Sequence, residues 1–182
     1  GVAAGVLGER FCAIADAPGA EVKRSSVEWG KAADPGDLRA ALRREKDIAS
    51  VLLTQNETST GVAHPLEDLC QVVRAETDAL LIVDAISSLG AMPLRMDEWG
   101  VDLVITGSQK AWGVPPGMAM LFLGPRAIQA LDRARMPRFY FDLRRYRKAR
   151  DQGNFPFTPA ISILYALDAA LDGKAERVLA VT

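Results

Sequence analysis

Three short runs of almost unbroken apolar residues, at 48–54, 80–83 and 103–105, narrow the folds open to this chain. A strand with one wet face alternates apolar and polar residues. A strand apolar throughout is covered on both faces, as in a sheet lying between helices. Helical patterns separate and surround these runs. Pro35-Gly36-Asp37 opens one, with Leu38, Ala41 and Leu42 at i, i+3 and i+4. Pro65 starts a second, with Leu66, Leu69, Val72 and Val73 on one face. Residues 125–134 and 161–171 read as two more, the last ended by Gly173; residues 11–17 also read as helix, and 21–29 as a strand with Val22 and Val27. This alternation predicts an α/β domain built on a three-layer, mostly parallel sheet. The run at 118–123 follows the loop Gly113-Val114-Pro115-Pro116-Gly117, which holds no crossover helix, so that strand is expected to be antiparallel.

The 182 residues, 49% hydrophobic and 25% charged, suit one domain with a proper core. A net charge of −1 gives no bulk field toward nucleic acid or membrane, and no partner of either kind is expected. No apolar stretch is long enough to span a bilayer, and no secretory signal is visible. Cys12 and Cys70 lack metal or redox spacing and read as packing residues of a reduced, cytoplasmic protein. His64 is the sole histidine, so a Ser-His-Asp triad or a histidine metal cluster has little to draw on; beside Pro65 it reads as a loop or cap residue, and no metal is expected. The basic stretch from Arg133 to Arg150 is interrupted by Asp132, Asp142 and Asp151 and reads as a solvated helical face or a subunit interface. No G-x-G-x-x-G or P-loop spacing follows any strand, which argues against a dinucleotide or nucleotide enzyme.

Chemistry collects where strands end. Asp84 closes the run Leu80-Leu81-Ile82-Val83, and Lys110 sits in Gly107-Ser108-Gln109-Lys110-Ala111-Trp112 after the next run. The hydroxyl-rich Thr58-Ser59-Thr60-Gly61 lies one strand earlier. In an open parallel sheet these loops converge at the carboxyl edge, where such sheets place ligands. An acid and an amine on neighbouring strand ends match what pyridoxal 5'-phosphate (PLP) requires: a lysine to form a Schiff base and a carboxylate to hold the pyridinium proton. Burial would lower the pKa of such a lysine and favour exchange near neutral pH.

The motif Gly107-Ser108-Gln109-Lys110 with Pro115-Pro116-Gly117, together with Asp84 four residues before Ser88-Leu89-Gly90, resembles the class V aminotransferases of PLP fold type I. Within that family the likeness is to the alanine–glyoxylate and serine–pyruvate branch, and it runs from Gly8-Glu9-Arg10-Phe11 to Thr158-Pro159-Ala160. The resemblance implies that Lys110 is the Schiff-base lysine and general base, and that Asp84 pairs with the pyridine nitrogen. It places Ile86 on one face of the ring, Thr58 at the cofactor's 3-oxygen and Gln109 near the phosphate. Thr158 would reach the phosphate of a neighbouring subunit's cofactor, which implies a homodimer. The expected reaction passes an amino group from a small amino acid, of alanine or serine type, to a 2-oxo acid such as glyoxylate or pyruvate.

This chain departs from the family at Leu7, where an aromatic residue usually stacks on the cofactor, and at Phe155, where some members carry a tyrosine. It opens on Gly1 rather than Met and stops at Thr182 inside a helical pattern. Residues 1–182 are therefore expected to be the central part of the large domain, with the phosphate loop upstream and the small domain downstream. The alternatives are a cysteine desulfurase or related lyase of the same fold, which commonly has histidine where Gln109 stands, and a non-catalytic protein that keeps the fold.

Overall fold

In the computed structural model, which describes residues 1–172, the chain runs β1 (Val2–Ala3), α1 (Val6–Asp16), β2 (Ser25–Ser26), α2 (Pro35–Arg44), β3 (Ser50–Thr54), β4 (Asn56–Glu57) and β5 (Val62–Ala63). It continues through α3 (Leu66–Glu76), β6 (Leu80–Asp84), β7 (Leu103–Gly107), β8 (Ala119–Leu123), α4 (Pro125–Arg133), α5 (Leu143–Asp151) and α6 (Ile161–Asp172). The central sheet has the order β3-β6-β7-β8. Its first three strands are parallel and β8 is antiparallel to β7, as the short loop before it requires.

The apolar runs lie in this sheet, one face of which is fully buried, while Leu80, Ile82, Leu103 and Ile105 on the other are half-buried. Val51, Leu53, Leu81, Val83 and Val104 belong to one buried cluster with Leu38 and Leu42 of α2 and Leu66, Leu69, Cys70, Val72 and Val73 of α3. The connection from β6 to β7 holds no helix; its Leu89, Leu94, Met96 and Trp99 pack on that same cluster instead. Asp34 starts α2, its side chain accepting the Gly36 and Asp37 N–H groups ahead of Pro35 at the first turn. The outer strand β8 is only partly covered, with Leu121 and Phe122 exposed.

Two local expectations change. The segment 21–29 pairs over Ser25–Ser26 alone, because its partner β1 is only two residues long. The helix expected from Phe11 starts at Val6, for reasons that belong to the site below. The basic stretch forms α5, whose start is held by Asp142: the carboxylate accepts the Arg144 N–H (3.2 Å) and pairs with its guanidinium (2.8 Å). That helix is mostly exposed, in keeping with a solvated face. Gly173, the expected end of α6, lies outside the described residues.

Both cysteines are free and buried, as packing residues should be, and burial pushes the Cys70 thiol up to about 12. His64 lies in the loop between β5 and α3, as expected, but faces inward. It is buried, and its Nδ1 accepts the Ala33 N–H at 3.0 Å. Burial pulls its pKa below the ordinary 6.5, while the negative charge of Glu57 opposes that shift. Above the ordinary value both folded and unfolded chains hold a neutral imidazole, and the bond to Ala33 is intact. As pH falls below it, the unfolded chain gains a proton that folded His64 resists, so stability declines toward acid. The expected result is a melting temperature that drops between about pH 7 and pH 5, and a flatter profile for His64→Asn. Equal slopes for the two proteins would exclude this role.

Candidate active site

The site is built on one row of the sheet. Thr54, Asp84 and Ile105 are direct neighbours across β3, β6 and β7, so the three parallel strands end at one edge. Backbone bonds continue one step past it, from Gln55 N–H to Asp84 O and from Ala85 N–H to Ile105 O, both 2.9 Å. Asp84, Ile86, Gln109 and Lys110 sit on or just beyond this edge, and Thr58 lies in the turn after β4.

Asp84 is half-buried, and its Oδ1 accepts the Ile86 N–H at 2.9 Å, a local turn that also places Ile86. Oδ2 takes no hydrogen bond among the described residues. Burial raises the Asp84 pKa; the Ile86 N–H opposes this, and the nearby Glu57 carboxylate adds to the rise. No cation offsets that burial. A half-buried carboxylate with one open oxygen and no cation is suited to receive a protonated ring nitrogen, which would supply the missing positive charge.

Lys110 is exposed, not buried as expected for a lysine of lowered pKa. What the structure does supply is a rigid mount. Buried Ser108 donates from Oγ to Pro115 O (2.7 Å) and accepts the Met118 N–H (3.4 Å), closing the loop across its base. The Gly113 N–H donates to Lys110 O (3.0 Å) and the Val114 N–H to Ser108 O (3.2 Å). Trp112 Nε1 donates to Thr106 Oγ1 at 3.3 Å. Gly107 accommodates the returning side chain of Gln109, whose Oε1 lies 3.0 Å from where a Cβ would stand. The loops after β6 and β7 touch at Gly90, where φ is +97° and a Cβ would sit 3.6 Å from Ala111 Cβ.

Behind the exposed groups stands a buried polar frame that sequence reasoning missed. Gln55 Oε1 accepts the Ser88 hydroxyl (2.7 Å) and Gln55 Nε2 donates to Pro93 O (2.8 Å), which ties β3 to the loop after β6. Asn56 Nδ2 donates to Ser87 Oγ at 2.9 Å. Glu57 is completely buried. No period or motif marks these residues, because Gln55, Asn56 and Glu57 each have a partner some thirty or more positions away.

Thr58 is exposed on its turn, and so is Thr158, which stands on a separate segment between α5 and α6. Phe157 anchors that segment among Phe139, Tyr140 and Tyr146. The amine, the acid and the Thr58 turn thus share one sheet edge, and Thr158 stands on a separate segment.

The aminotransferase class-V family model matches residues 11–176, and the chain belongs to that family. It is 42% identical over 170 residues to the protein named soluble hydrogenase, small subunit, of a Synechococcus species, covering 92% of this chain and 44% of that one. It is 37% identical over 182 residues to the L-aspartate–glyoxylate aminotransferase of Paracoccus denitrificans, covering 97% of this chain and 44% of the relative. Among solved structures, an alanine–glyoxylate aminotransferase from a Nostoc species superposes with a TM-score of 0.91 at 36% identity, over 98% of this chain and 48% of that one. The sheet, parallel but for β8, is that of PLP fold type I. The chain spans about half the length of the curated relatives it matches.

Proposed function

We propose that this chain is the central part of the large domain of a PLP-dependent aminotransferase, one that passes an amino group from a small amino acid of alanine or serine type to a 2-oxo acid. The observation that carries this reading is the pairing of an uncompensated Asp84 with the exposed amine of Lys110 on adjacent strand ends. Two of the relatives carry glyoxylate in their names with different donors, which supports glyoxylate as acceptor and leaves the donor open. The hydrogenase name belongs to the Synechococcus relative and has no counterpart in this site's chemistry. PLP, when bound, supplies an aldehyde for the amino group and a ring that accepts the electrons released at the α-carbon.

The residues then divide the work. Lys110 would offer the amine that attaches the cofactor and would afterwards act as the general base that takes the proton from the substrate α-carbon and returns it to the cofactor. Asp84 Oδ2 holds the proton on the ring nitrogen, Ile86 covers one ring face, and the Thr58 hydroxyl donates to the 3-oxygen. Gln109 stands by the phosphate. Thr158 serves the phosphate of the second subunit in a homodimer, presented by Pro159 just before α6. The lyase alternative commonly has histidine where Gln109 stands, and this departure favours the transaminase. Two free, buried cysteines fit the reduced interior of a cell.

In the full-length protein, Lys110→Ala should abolish the PLP adduct trapped by borohydride; a label mapped to Lys174 or another lysine would overturn the assignment. Asp84→Ala should still bind PLP but lose roughly 3 kcal/mol of transition-state stabilisation, a drop in turnover of about a hundredfold or more. Near-normal turnover would remove Asp84 from its role. For Thr158, the test mixes full-length Lys110→Ala with Thr158→Ala subunits. If Thr158 acts across the interface, each heterodimer has one site with both lesions and one with neither, so activity returns. If it acts within its own subunit, mixing restores nothing.

A further inference from the structure

We propose that Glu57 is a positioning residue of this same site, a buried clasp that fixes the start of α1, with Leu7, against the turn that carries Thr58. The proposal rests on the cofactor reading above and adds a residue that no motif assigned.

Glu57 has no exposed surface. Its Oε2 accepts the Leu7 and Gly8 N–H groups, both at 3.0 Å, and its Oε1 accepts the Ser59 N–H at 3.1 Å and the Ser59 hydroxyl at 2.5 Å. The same Ser59 oxygen accepts the Val6 N–H at 3.0 Å. The first three N–H groups of α1 are therefore satisfied by two residues some fifty positions away, and Gly5 before them offers no side-chain cap. Burial alone would raise the Glu57 pKa, but the Ser59 hydroxyl and the surrounding N–H groups more than reverse that, so the carboxylate stays charged.

The fit is close enough to dictate neighbours. A Cβ on Gly5 would lie 2.6 Å from Glu57 Cγ and 2.7 Å from Ser59 Oγ. A Cβ on Gly8 would lie 2.9 Å from both the Ala3 Cα and the Val2 carbonyl oxygen. These glycines let the helix start descend onto the carboxylate and onto β1.

A simple cap would need only a neighbouring Ser or Asp. This one joins two elements that border the catalytic edge. Glu57 lies between Asn56, tied to Ser87 in the loop after Asp84, and Thr58 itself. Leu7, half-buried at the start of α1, donates directly to it. The clasp also fills the positive end of α1 with a protein carboxylate, so that helix start is not available to a phosphate.

The test uses the full-length protein and reads PLP affinity by titration, with the melting temperature measured alongside. Glu57→Gln puts an amide NH2 against one of the two sets of donors, and Ser59→Ala removes one bond to Oε1 and the acceptor of the Val6 N–H while leaving the carboxylate in place. Asp34→Ala, which uncaps α2 outside the site, is the control for lost stability alone. Glu57→Gln should weaken PLP binding about tenfold or more, the effect of losing a charge-assisted hydrogen bond. Ser59→Ala should weaken it less, and Asp34→Ala should lower melting without changing affinity. If the clasp acts through Leu7, the loss on Glu57→Gln should shrink to about threefold or less in a Leu7→Ala background.

Unchanged affinity in both clasp variants, a loss matched by Asp34→Ala, or full additivity with Leu7→Ala would each overturn the role of Glu57 while leaving the cofactor reading standing. A wild type that binds no PLP would overturn that reading, and this one with it.

Discussion

Backbone pairing across the ends of β3, β6 and β7 is the constraint on which the site depends. Asp84 can serve a ligand only if it stands between Thr54 and Ile105 at the sheet's edge. A slip of one residue would turn its side chain to the opposite face and bury the wrong groups. The register is held at the far end of the strands as well. Asp102, buried just before β7, accepts the Leu81 N–H at 2.8 Å through Oδ2, and its own N–H donates to Leu81 O at 2.9 Å. Arg74, at the end of α3, pairs with the same oxygen at 2.7 Å and donates to the carbonyls of Gly100 and Ala79. A buried acid is costly when any partner is removed, so this clamp fixes β6, β7 and α3 as one body at the end of the strands opposite the chemistry.

The division of labour at the site follows a physical rule. Groups proposed to meet a ligand, Thr58, Gln109, Lys110 and Thr158, are exposed, while those that hold them, Gln55, Glu57, Ser88, Thr106 and Ser108, are buried and all but fully bonded within the protein. Exposed side chains on free loops would spend entropy each time a ligand bound. Loops fastened at the base by buried hydroxyls and amides have met that cost in folding. Lys110 shows the consequence: its loop is closed by four hydrogen bonds around Ser108 and Gly113, and its amine is left without an ion pair among the described residues.

How far the sequence could be read depended on whether an element's reason for existing was local. The strands at 80–84, 103–107 and 119–123 were legible because each is a short continuous apolar run, too short for a helix and followed by turn residues. Helices α2, α3 and α4 announced themselves through proline at or just before the first turn. The antiparallel turn of β8 followed from loop length. The start of α1 was hidden because Gly5 and Gly8 look like loop residues and the capping carboxylate comes from Glu57. Helix α5 was obscured by its charge: six of the nine residues from 143 to 151 are charged, and its stability leans on Asp142 and on the Arg147–Asp132 pair rather than on an apolar face. At the site, Asp84 and Lys110 were legible as residues out of place after apolar strands, whereas the exposure of Lys110 depended on the packed structure.

The exposed apolar residues are unevenly spread, and their distribution bears on Thr158. Phe139, Tyr140, Phe141, Phe155, Ile161 and Tyr165 are all exposed, and all lie in the segment that carries it. Their rings are ordered among themselves: Tyr140 meets Phe141 edge-on at 5.3 Å and Phe157 at 4.7 Å, and the Arg145 guanidinium lies 4.1 Å over Phe139. Six large apolar groups left in water on one short stretch would cost a monomer solubility, and patches of this kind mark surfaces that associate. Basic groups along α5 border the patch, as a polar rim borders an apolar interface. Anchoring Phe157 in the ring cluster also holds the adjacent Thr158 at the patch, one helix start away from the loop that Ile163 contacts at Gly117, so the position of this exposed hydroxyl is set by the packing of its neighbours.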